Sequence, residues 1–395
     1  MKHNRLTLQL FLLLVPFLLS GQNETDIVIG KRIQLASEIL KSNREISIYL
    51  PRSYYHNDYT QYPVLYVLDG EKFFHAFSGA VEQLSSDASP QMPEAILVGI
   101  KSQNRLYDSS PTQSTVGYLG KEDKAFANSG GATVFIDFIT KELIPYVDTN
   151  YRSNSYRTFV GYSFTGLPVL HALFTRPEMF NSYLVIDFSA WWDDRVTWKN
   201  AKSFFKNYKG PKRDIYLTTV DRVLDDYSPR HNATWRFMKD FKQNHSEHIS
   251  LGYKKYAYRE ENHHTLALIS FIDGLKYIFR GHMMNRDEMY THPEVIAEKF
   301  EQLSDRLGYT VFPREDLINY LGYFFVYSFP DYDKALLYFT YNARNYPASV
   351  YAWDGLAEGY KAKGNTKKAI ESFEKALELD PKNESIVQRL AELRH

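Results

Sequence analysis

The pattern of apolar and polar positions divides the chain into two parts. Up to about residue 280, short apolar runs alternate with segments whose apolar residues recur at helical spacing, for example 134–147 and 266–279. Nearly continuous apolar runs are typical of strands buried on both faces of a sheet, and their alternation with helices predicts a three-layer α/β sandwich. The predicted strands are residues 46–50, 62–68, 95–100, 157–160, 183–186 and 215–219.

From about Met289 the pattern changes to one helix after another, with an internal repeat. Eight positions match the spacing of a tetratricopeptide repeat, and three of them recur 34 residues upstream. Two repeats are fewer than the three that such arrays usually need, so we expect this region to pack against the α/β part. The sequence therefore predicts an α/β domain at 27–285 and a small all-α region at 289–395. The matching residues are Trp353, Leu356, Ala357, Tyr360, Ala369, Phe373, Ala376 and Pro381, preceded by Ala335, Phe339 and Pro347.

The first residues have the pattern of a secretory signal. Lys2 and Arg5 precede an apolar run at 10–19, which is too short to span a bilayer. We expect residues 1–22 to be removed and the mature protein to be periplasmic or secreted, with no membrane association afterwards. An uncleaved anchor is the alternative.

Composition excludes several classes of function. The 395 residues include no cysteine, which excludes disulfides, thiolate catalysis and cysteine-ligated zinc. Lys+Arg and Asp+Glu both number 47, so the chain lacks the basic excess that a general nucleic-acid binder uses to neutralise phosphates. We therefore expect no nucleic-acid partner.

Residues 161–166, Gly-Tyr-Ser-Phe-Thr-Gly, lie between a predicted strand and a predicted helix. This is the setting of a nucleophile elbow, in which a sharp turn exposes a serine hydroxyl above the sheet. Ser163 is the predicted nucleophile. Thr165 stands where the usual pattern has glycine, and we expect Gly166 to relieve the crowding.

A serine nucleophile needs a base, an acid and two amide donors for the oxyanion. His263 and His264 precede the last long predicted helix of the α/β part, and either could be the base. The acid is expected just after the strand at 215–219, where the candidates are Asp221, Asp225 and Asp226. The oxyanion donors are expected to be the amides of Phe164 and Gly70.

Several segments together resemble the putative-esterase family of α/β-hydrolases, which includes enterobactin esterases and esterase D-like enzymes. The resemblance covers about 32–279 and implies the α/β-hydrolase fold. It also implies that His263 rather than His264 is the base; for the acid we favour Asp221, with Asp225 as the alternative. The segments that carry it are 37–40 with Arg44, 64–70, 104–111, 142–146 with 151–152, 188–193, 262–263 and 274–279.

Departures from the family pattern leave the substrate open. Tyr162 replaces a frequent histidine, and Asp187 replaces a serine. Trp191, Trp192 and Arg105 lie in segments that we expect to shape the substrate cleft.

The sequence thus predicts an exported serine hydrolase that cleaves carboxylic esters through an acyl-enzyme, without a metal or an organic cofactor. The resemblance points to siderophore-like or small acyl esters. The alternative is a catalytically degenerate hydrolase fold that acts as a binding or scaffold protein and docks a protein partner through its helical repeats.

Overall fold

The computed structural model describes residues 25–86, 89–221, 233–243, 246–257, 259–291 and 293–394. In these ranges eight strands form one sheet, in the order β1-β2-β4-β3-β5-β6-β7-β8. The β1–β2 and β2–β4 pairs are antiparallel, and every other neighbouring pair is parallel. The strands are β1 (Lys31–Ser37), β2 (Ser42–Tyr49), β3 (Tyr62–Leu68), β4 (Ile96–Ile100), β5 (Ser153–Tyr162), β6 (Ser182–Ile186), β7 (Arg213–Val220) and β8 (Ile249–Tyr256).

Helices cover both faces of the sheet, which explains why its central strands are apolar throughout. In β3, Leu65 and Val67 belong to one buried cluster, whereas Val64, Tyr66 and Leu68 belong to the other. Successive side chains of a strand point to opposite faces, so each face buries alternate residues. The three-layer α/β fold predicted from the sequence is confirmed.

One face carries α1 (Gly70–Ser85) and α8 (Leu266–Ile278), whose Phe77 and Phe271 rings stack with centroids 3.8 Å apart. The short α2 (Arg105–Ser109) follows β4. The other face carries α3 (Ala132–Phe138), α4 (Ile144–Asn150), α5 (Gly166–Thr175), α6 (Trp192–Asn207) and α7 (Ala233–Gln243).

The remaining helices form the all-α region and pack on the face that carries α1 and α8. Apolar residues of α10 to α13 belong to the same buried cluster as those two helices. The region therefore adds a further layer to the sandwich on one side. Its helices are α9 (Arg286–Thr291), α10 (Pro293–Leu307), α11 (Glu315–Tyr323), α12 (Tyr332–Asn345), α13 (Val350–Ala362), α14 (Thr366–Leu379) and α15 (Glu384–Arg394).

Two arginines of the all-α region bind the carboxyl ends of α1 and α8. Arg314 donates to the carbonyl of Ser85 at 3.3 Å, and Arg306 donates to the carbonyl of Ile278 at 2.9 Å. Arg306 also pairs with the buried Asp214 of β7 at 3.0 Å. Cations at these positions satisfy carbonyls that have no partner within the helix and favour the negative end of its dipole.

Within the all-α region, α11 to α14 form two stacked helix pairs, and Ile386 and Leu390 of α15 complete a small cluster with Phe373. No helix in the described ranges is long and apolar enough to cross a membrane.

The parallel strands β3, β5 and β6 are neighbours or next neighbours, and their carboxyl ends meet at one edge of the sheet. Asp69, Ser163 and Asp187 directly follow these strands. In open α/β sheets this edge is where ligands bind.

Candidate active site

The turn after β5 presents Ser163 in the backbone conformation expected of a nucleophile elbow. Its φ is 56°, in the left-handed region that non-glycine residues rarely adopt. A single 3₁₀ turn at Ser163–Thr165 then leads into α5. A Cβ on Gly161 would lie 2.2 Å from the carbonyl oxygen of Thr165, and one on Gly166 would lie 2.5 Å from the Cβ of Phe188. Glycine at these two positions therefore lets the backbone of the elbow pass close to Thr165 and Phe188. The second glycine, Gly166, lies one position later than in the usual pattern.

The imidazole of His263 lies against the hydroxyl of Ser163. Nε2 and the serine Oγ are 3.0 Å apart, across 100 residues of sequence. The ring of Tyr162 stacks on this imidazole with centroids 5.1 Å apart, and the Tyr162 hydroxyl donates to the backbone carbonyl of His263. The loop that carries His263, called the base loop below, is thereby held by Tyr162, the residue that precedes the serine.

The other imidazole nitrogen, Nδ1, lies 2.6 Å from Oδ2 of Asp187. Asp187 directly follows β6, is 2% exposed and has a φ of 39°. Its Oδ1 accepts a hydrogen bond of 2.6 Å from the hydroxyl of Thr219, at the end of β7. A His263 tautomer protonated on Nδ1 donates to this carboxylate, and its unprotonated Nε2 can accept the serine proton.

The expectation that Asp221 is the acid is therefore corrected: the carboxylate beside His263 belongs to Asp187. Asp221 instead pairs with Lys255 at 2.7 Å, and its side chain is 42% exposed. Asp225 and Asp226 lie outside the described residues.

Asp187 was visible in the sequence only as a departure from the family pattern. The chain order expected of a serine triad predicts the acid after the strand at 215–219, which is β7. In the sheet, β6 lies between β5 and β7, so the end of β6 is nearer to the elbow. The available signal was a carboxylate directly after a buried apolar run, at the edge of the sheet that carries Ser163.

The predicted oxyanion turn follows β3. Asp69 has a φ of 53°, and α1 begins at Gly70. A Cβ on Gly70 would lie 2.5 Å from the carbonyl carbon of Gly99, so glycine allows α1 to begin directly against β4. The amides of Lys72 and Phe73 are already bonded to the carbonyl of Asp69. The oxyanion roles of the Gly70 and Phe164 amides stay predictions.

Arg105, expected to bind substrate, has its charge engaged within the protein. Its Nε lies 2.9 Å from Oδ1 of Asp69, and its Nη2 lies 2.9 Å from Oδ2. Such bidentate pairs fix both partners in one geometry. The side chain is nevertheless 41% exposed and lines the cavity above the serine.

That cavity has a volume of about 300 Å³ and is open to solvent. The ammonium group of Lys72 lies 4.9 Å from the centre of the Tyr162 ring. Burial raises the pKa of Glu71, and the neighbouring Asp69 raises it further, whereas backbone hydrogen bonds oppose the shift. The walls of the cavity thus combine the Ser163–His263 pair with positively and negatively charged groups. The lining residues are Asp69, Glu71, Lys72, Arg105, Tyr162, Ser163, His263 and His264.

The two tryptophans expected to contact substrate differ in position. Trp192 is fully buried, and its indole donates to the hydroxyl of Thr112 at 3.2 Å, so the expectation for Trp192 is corrected: it belongs to the core. Trp191 is half-buried and packs edge-on against Tyr118, with centroids 5.3 Å apart. Its ring also lies 6.4 Å from that of Phe164, which follows the serine.

Two family profiles match the chain. The family described as "Putative esterase" matches residues 37–266, more than half of the chain. The tetratricopeptide repeat matches residues 350–383, within the all-α region. Both resemblances predicted from the sequence are confirmed.

Several curated relatives are named esterases. The chain is 30% identical over 185 residues to the siderophore triacetylfusarinine C esterase of Aspergillus fumigatus, a match that covers 44% of this chain and 55% of the fungal protein. It is 26% identical over 217 residues to the ferri-bacillibactin esterase BesA of Bacillus subtilis, covering 52% and 75%. The chain thus spans little more than half the length of the fungal relative. These relatives support an esterase function.

Solved structures agree with the fold. An IroE-like serine hydrolase from Shewanella oneidensis is 27% identical, with a TM-score of 0.70 over 80% of this chain and 99% of that one. An uncharacterised protein from Capnocytophaga ochracea, 18% identical, has the same fold, with a TM-score of 0.59 over 92% of this chain and 99% of that one. Since the family profile matches more than half of the chain, the protein belongs to the putative esterase family.

Proposed function

We propose that this protein is a serine esterase that hydrolyses small-molecule carboxylic esters. The observation that carries the proposal is the hydrogen-bonded series from Ser163 through His263 to Asp187, at 3.0 and 2.6 Å. A nucleophile, a base and an acid that contact one another in this way make up the arrangement that activates a serine hydroxyl at neutral pH.

In the first half of the proposed reaction, the Ser163 oxygen attacks the ester carbonyl carbon while Nε2 of His263 takes the hydroxyl proton. Asp187 holds the imidazole through Nδ1 and stabilises its positive charge. The carbonyl oxygen becomes an oxyanion, which the amides of Phe164 and Gly70 stabilise. The intermediate then collapses, the C–O bond to the alcohol breaks, and His263 returns the proton to the leaving alkoxide.

In the second half, a water molecule replaces the alcohol. His263 takes a proton from the water as its oxygen attacks the acyl carbon of the serine ester. The new oxyanion collapses, the bond to the Ser163 oxygen breaks, and His263 reprotonates that oxygen. The carboxylic acid leaves, and the enzyme returns to its initial state.

For the substrate, we propose siderophore-like esters or small acyl esters. The Aspergillus fumigatus relative is a siderophore esterase, and BesA is a ferri-bacillibactin esterase. The cavity above Ser163 is small and open, which suits an ester whose scissile group enters while the rest of the molecule stays outside.

A fluorophosphonate probe tests the proposed nucleophile, because it labels only activated serines. We expect labelling of the wild type and none of Ser163→Ala. The matched control is Ser153→Ala, at the opposite end of β5, where the hydroxyl bonds Asp148; this variant should label normally. Folded wild-type protein that does not label would support the binding or scaffold alternative instead.

Hydrolysis of p-nitrophenyl esters of increasing chain length, compared with that of a cyclic trilactone, tests the substrate class. Preference for the trilactone supports the siderophore-like assignment. Preference for short p-nitrophenyl esters supports the small acyl assignment.

We also propose that the protein is exported. The support is the sequence pattern of residues 1–22, which lie outside the described residues. The amino-terminal sequence of protein recovered from the periplasm or the medium tests this: a mature chain that starts near residue 23 is expected. Full-length chain confined to the cytosol would contradict it.

A further inference from the structure

We propose that Thr165 is a positioning residue which, with Asp69 and Arg105, holds the nucleophile elbow in register with the oxyanion turn. The inference rests on the proposed esterase function. It concerns how the two turns are held together rather than which groups react.

The Thr165 side chain is completely buried and contacts both turns. Its hydroxyl lies 3.1 Å from Oδ2 of Asp69, in the oxyanion turn. It also lies 2.8 Å from the carbonyl oxygen of Tyr162 and accepts a hydrogen bond of 3.0 Å from the amide of the same residue. By donating its one proton to the Asp69 carboxylate and accepting from the Tyr162 amide, this hydroxyl joins the residue that precedes Gly70 to the residue that precedes Ser163.

Arg105 makes a second connection between the same two residues. Its guanidinium binds both carboxylate oxygens of Asp69, and Nη2 also lies 3.3 Å from the carbonyl oxygen of Tyr162. Asp69 is 3% exposed, and a buried carboxylate is costly unless it is paired and hydrogen-bonded. The carboxylate thus holds the guanidinium and the hydroxyl in fixed positions, and both reach the elbow.

The connected turns are the two strained points of the site. Asp69 and Ser163 both have positive φ, at 53° and 56°. Such conformations are strained and persist only where surrounding contacts determine them. A glycine at position 165, as in the usual pattern, would allow the close backbone approach at the elbow but has no hydroxyl. Threonine at this position thus has a role that the usual elbow pattern does not require.

This arrangement affects rate more than binding. Oxyanion donors act in the transition state, and a displacement of about 1 Å between reacting groups can lower the rate about 100-fold. Losing the Thr165 hydroxyl should therefore lower kcat and leave KM nearly unchanged.

The test compares Thr165→Val with Thr165→Ser on p-nitrophenyl acetate. Valine has a similar shape without the hydroxyl, whereas serine keeps it. We expect kcat to fall about tenfold in Thr165→Val, with KM within about twofold, and to recover to within about threefold of wild type in Thr165→Ser. The rate of fluorophosphonate labelling should follow kcat.

The matched control is Thr158→Val, on β5. This buried threonine is hydrogen-bonded to the hydroxyl of Ser182 at 2.8 Å, away from the elbow. Thermal unfolding of all variants separates stability from rate. We expect the control to lose stability but keep its kcat.

Wild-type kcat in folded Thr165→Val would overturn the inference, and so would equal losses in the valine and serine variants. If the valine variant does not fold, Thr165→Ala and Arg105→Lys provide the same comparison, since lysine cannot form the bidentate pair. If the wild type is active and the Thr165 variants keep its kcat, only this inference is contradicted. A wild type that neither hydrolyses the ester nor labels contradicts the proposed function as well.

Discussion

At the scale of single residues, the environment of Asp187 distinguishes it from other carboxylates near the site. It is buried, it bonds the imidazole of His263, and its second oxygen is occupied by the Thr219 hydroxyl. Asp221, at the end of the next strand, is partly exposed and paired with a lysine. A buried carboxylate with a fixed partner on each oxygen can hold one imidazole tautomer.

Replacing Asp187 with asparagine should therefore lower kcat by about 10⁴-fold, because the amide allows the wrong tautomer of His263. Asp221→Asn is the matched control and should stay within about twofold of wild type. Steady-state kinetics on p-nitrophenyl acetate measure both. A large loss in Asp221→Asn with little change in Asp187→Asn would reverse the assignment.

At the scale of elements, the loop between β8 and α8 carries the imidazole, and the end of β5 holds that loop. The contact is made by Tyr162, whose ring and hydroxyl both touch His263. Tyr162 is buried beneath the cavity, next to Phe73 of α1 at 5.3 Å between ring centroids. Its position is therefore set by strand and helix packing rather than by the loop itself.

Tyr162→Phe keeps the ring but loses the bond to the His263 carbonyl. We expect kcat to fall roughly 10-fold, since the base loop gains freedom, with little change in thermal stability. Tyr208→Phe, which loses a tyrosine-to-carbonyl bond of 2.8 Å to Pro211 away from the site, is the control. Equal kcat values for the two variants would exclude an anchoring role.

The sequence was informative where a signal is local. Residues 62–68 form β3 as predicted, and the elbow and the histidine loop were both placed by short motifs. The edge strands β1 and β8 were missed because their exposed positions dilute the apolar pattern. Asp187 was missed because the identity of the acid depends on which strands are neighbours, and strand order is not written in any one segment.

At the scale of the whole molecule, the all-α region and the sandwich meet around a buried histidine. His282 is 1% exposed, with Nδ1 3.1 Å from the carbonyl oxygen of Pro90 and its ring 5.4 Å from that of Phe300 in α10. Burial lowers the pKa of His282 to about 4. The imidazole is therefore neutral in the native state near pH 7.

This histidine should make stability fall as the pH drops from about 6.5 towards 4. Over that range the unfolded chain binds a proton that the folded chain does not bind. This difference lowers the free energy of unfolding by on the order of 2 kcal/mol between pH 7 and pH 5. In His282→Asn, whose amide can replace the Nδ1 donor, this contribution should disappear. The exposed His56→Asn is the control. Thermal unfolding at both pH values measures the effect, and identical pH dependence in wild type and His282→Asn would contradict it.

The arginine contacts at the carboxyl ends of α1 and α8 have a consequence for inactivation. The amino-terminal end of α1 lies at the predicted oxyanion turn, and that of α8 follows the loop that carries His263. An arginine of the all-α region binds the carboxyl end of each helix. Heating that detaches the all-α region from the sandwich would release the carboxyl ends of α1 and α8 together. Esterase activity and the helical signal of the repeats should then vanish in the same thermal step.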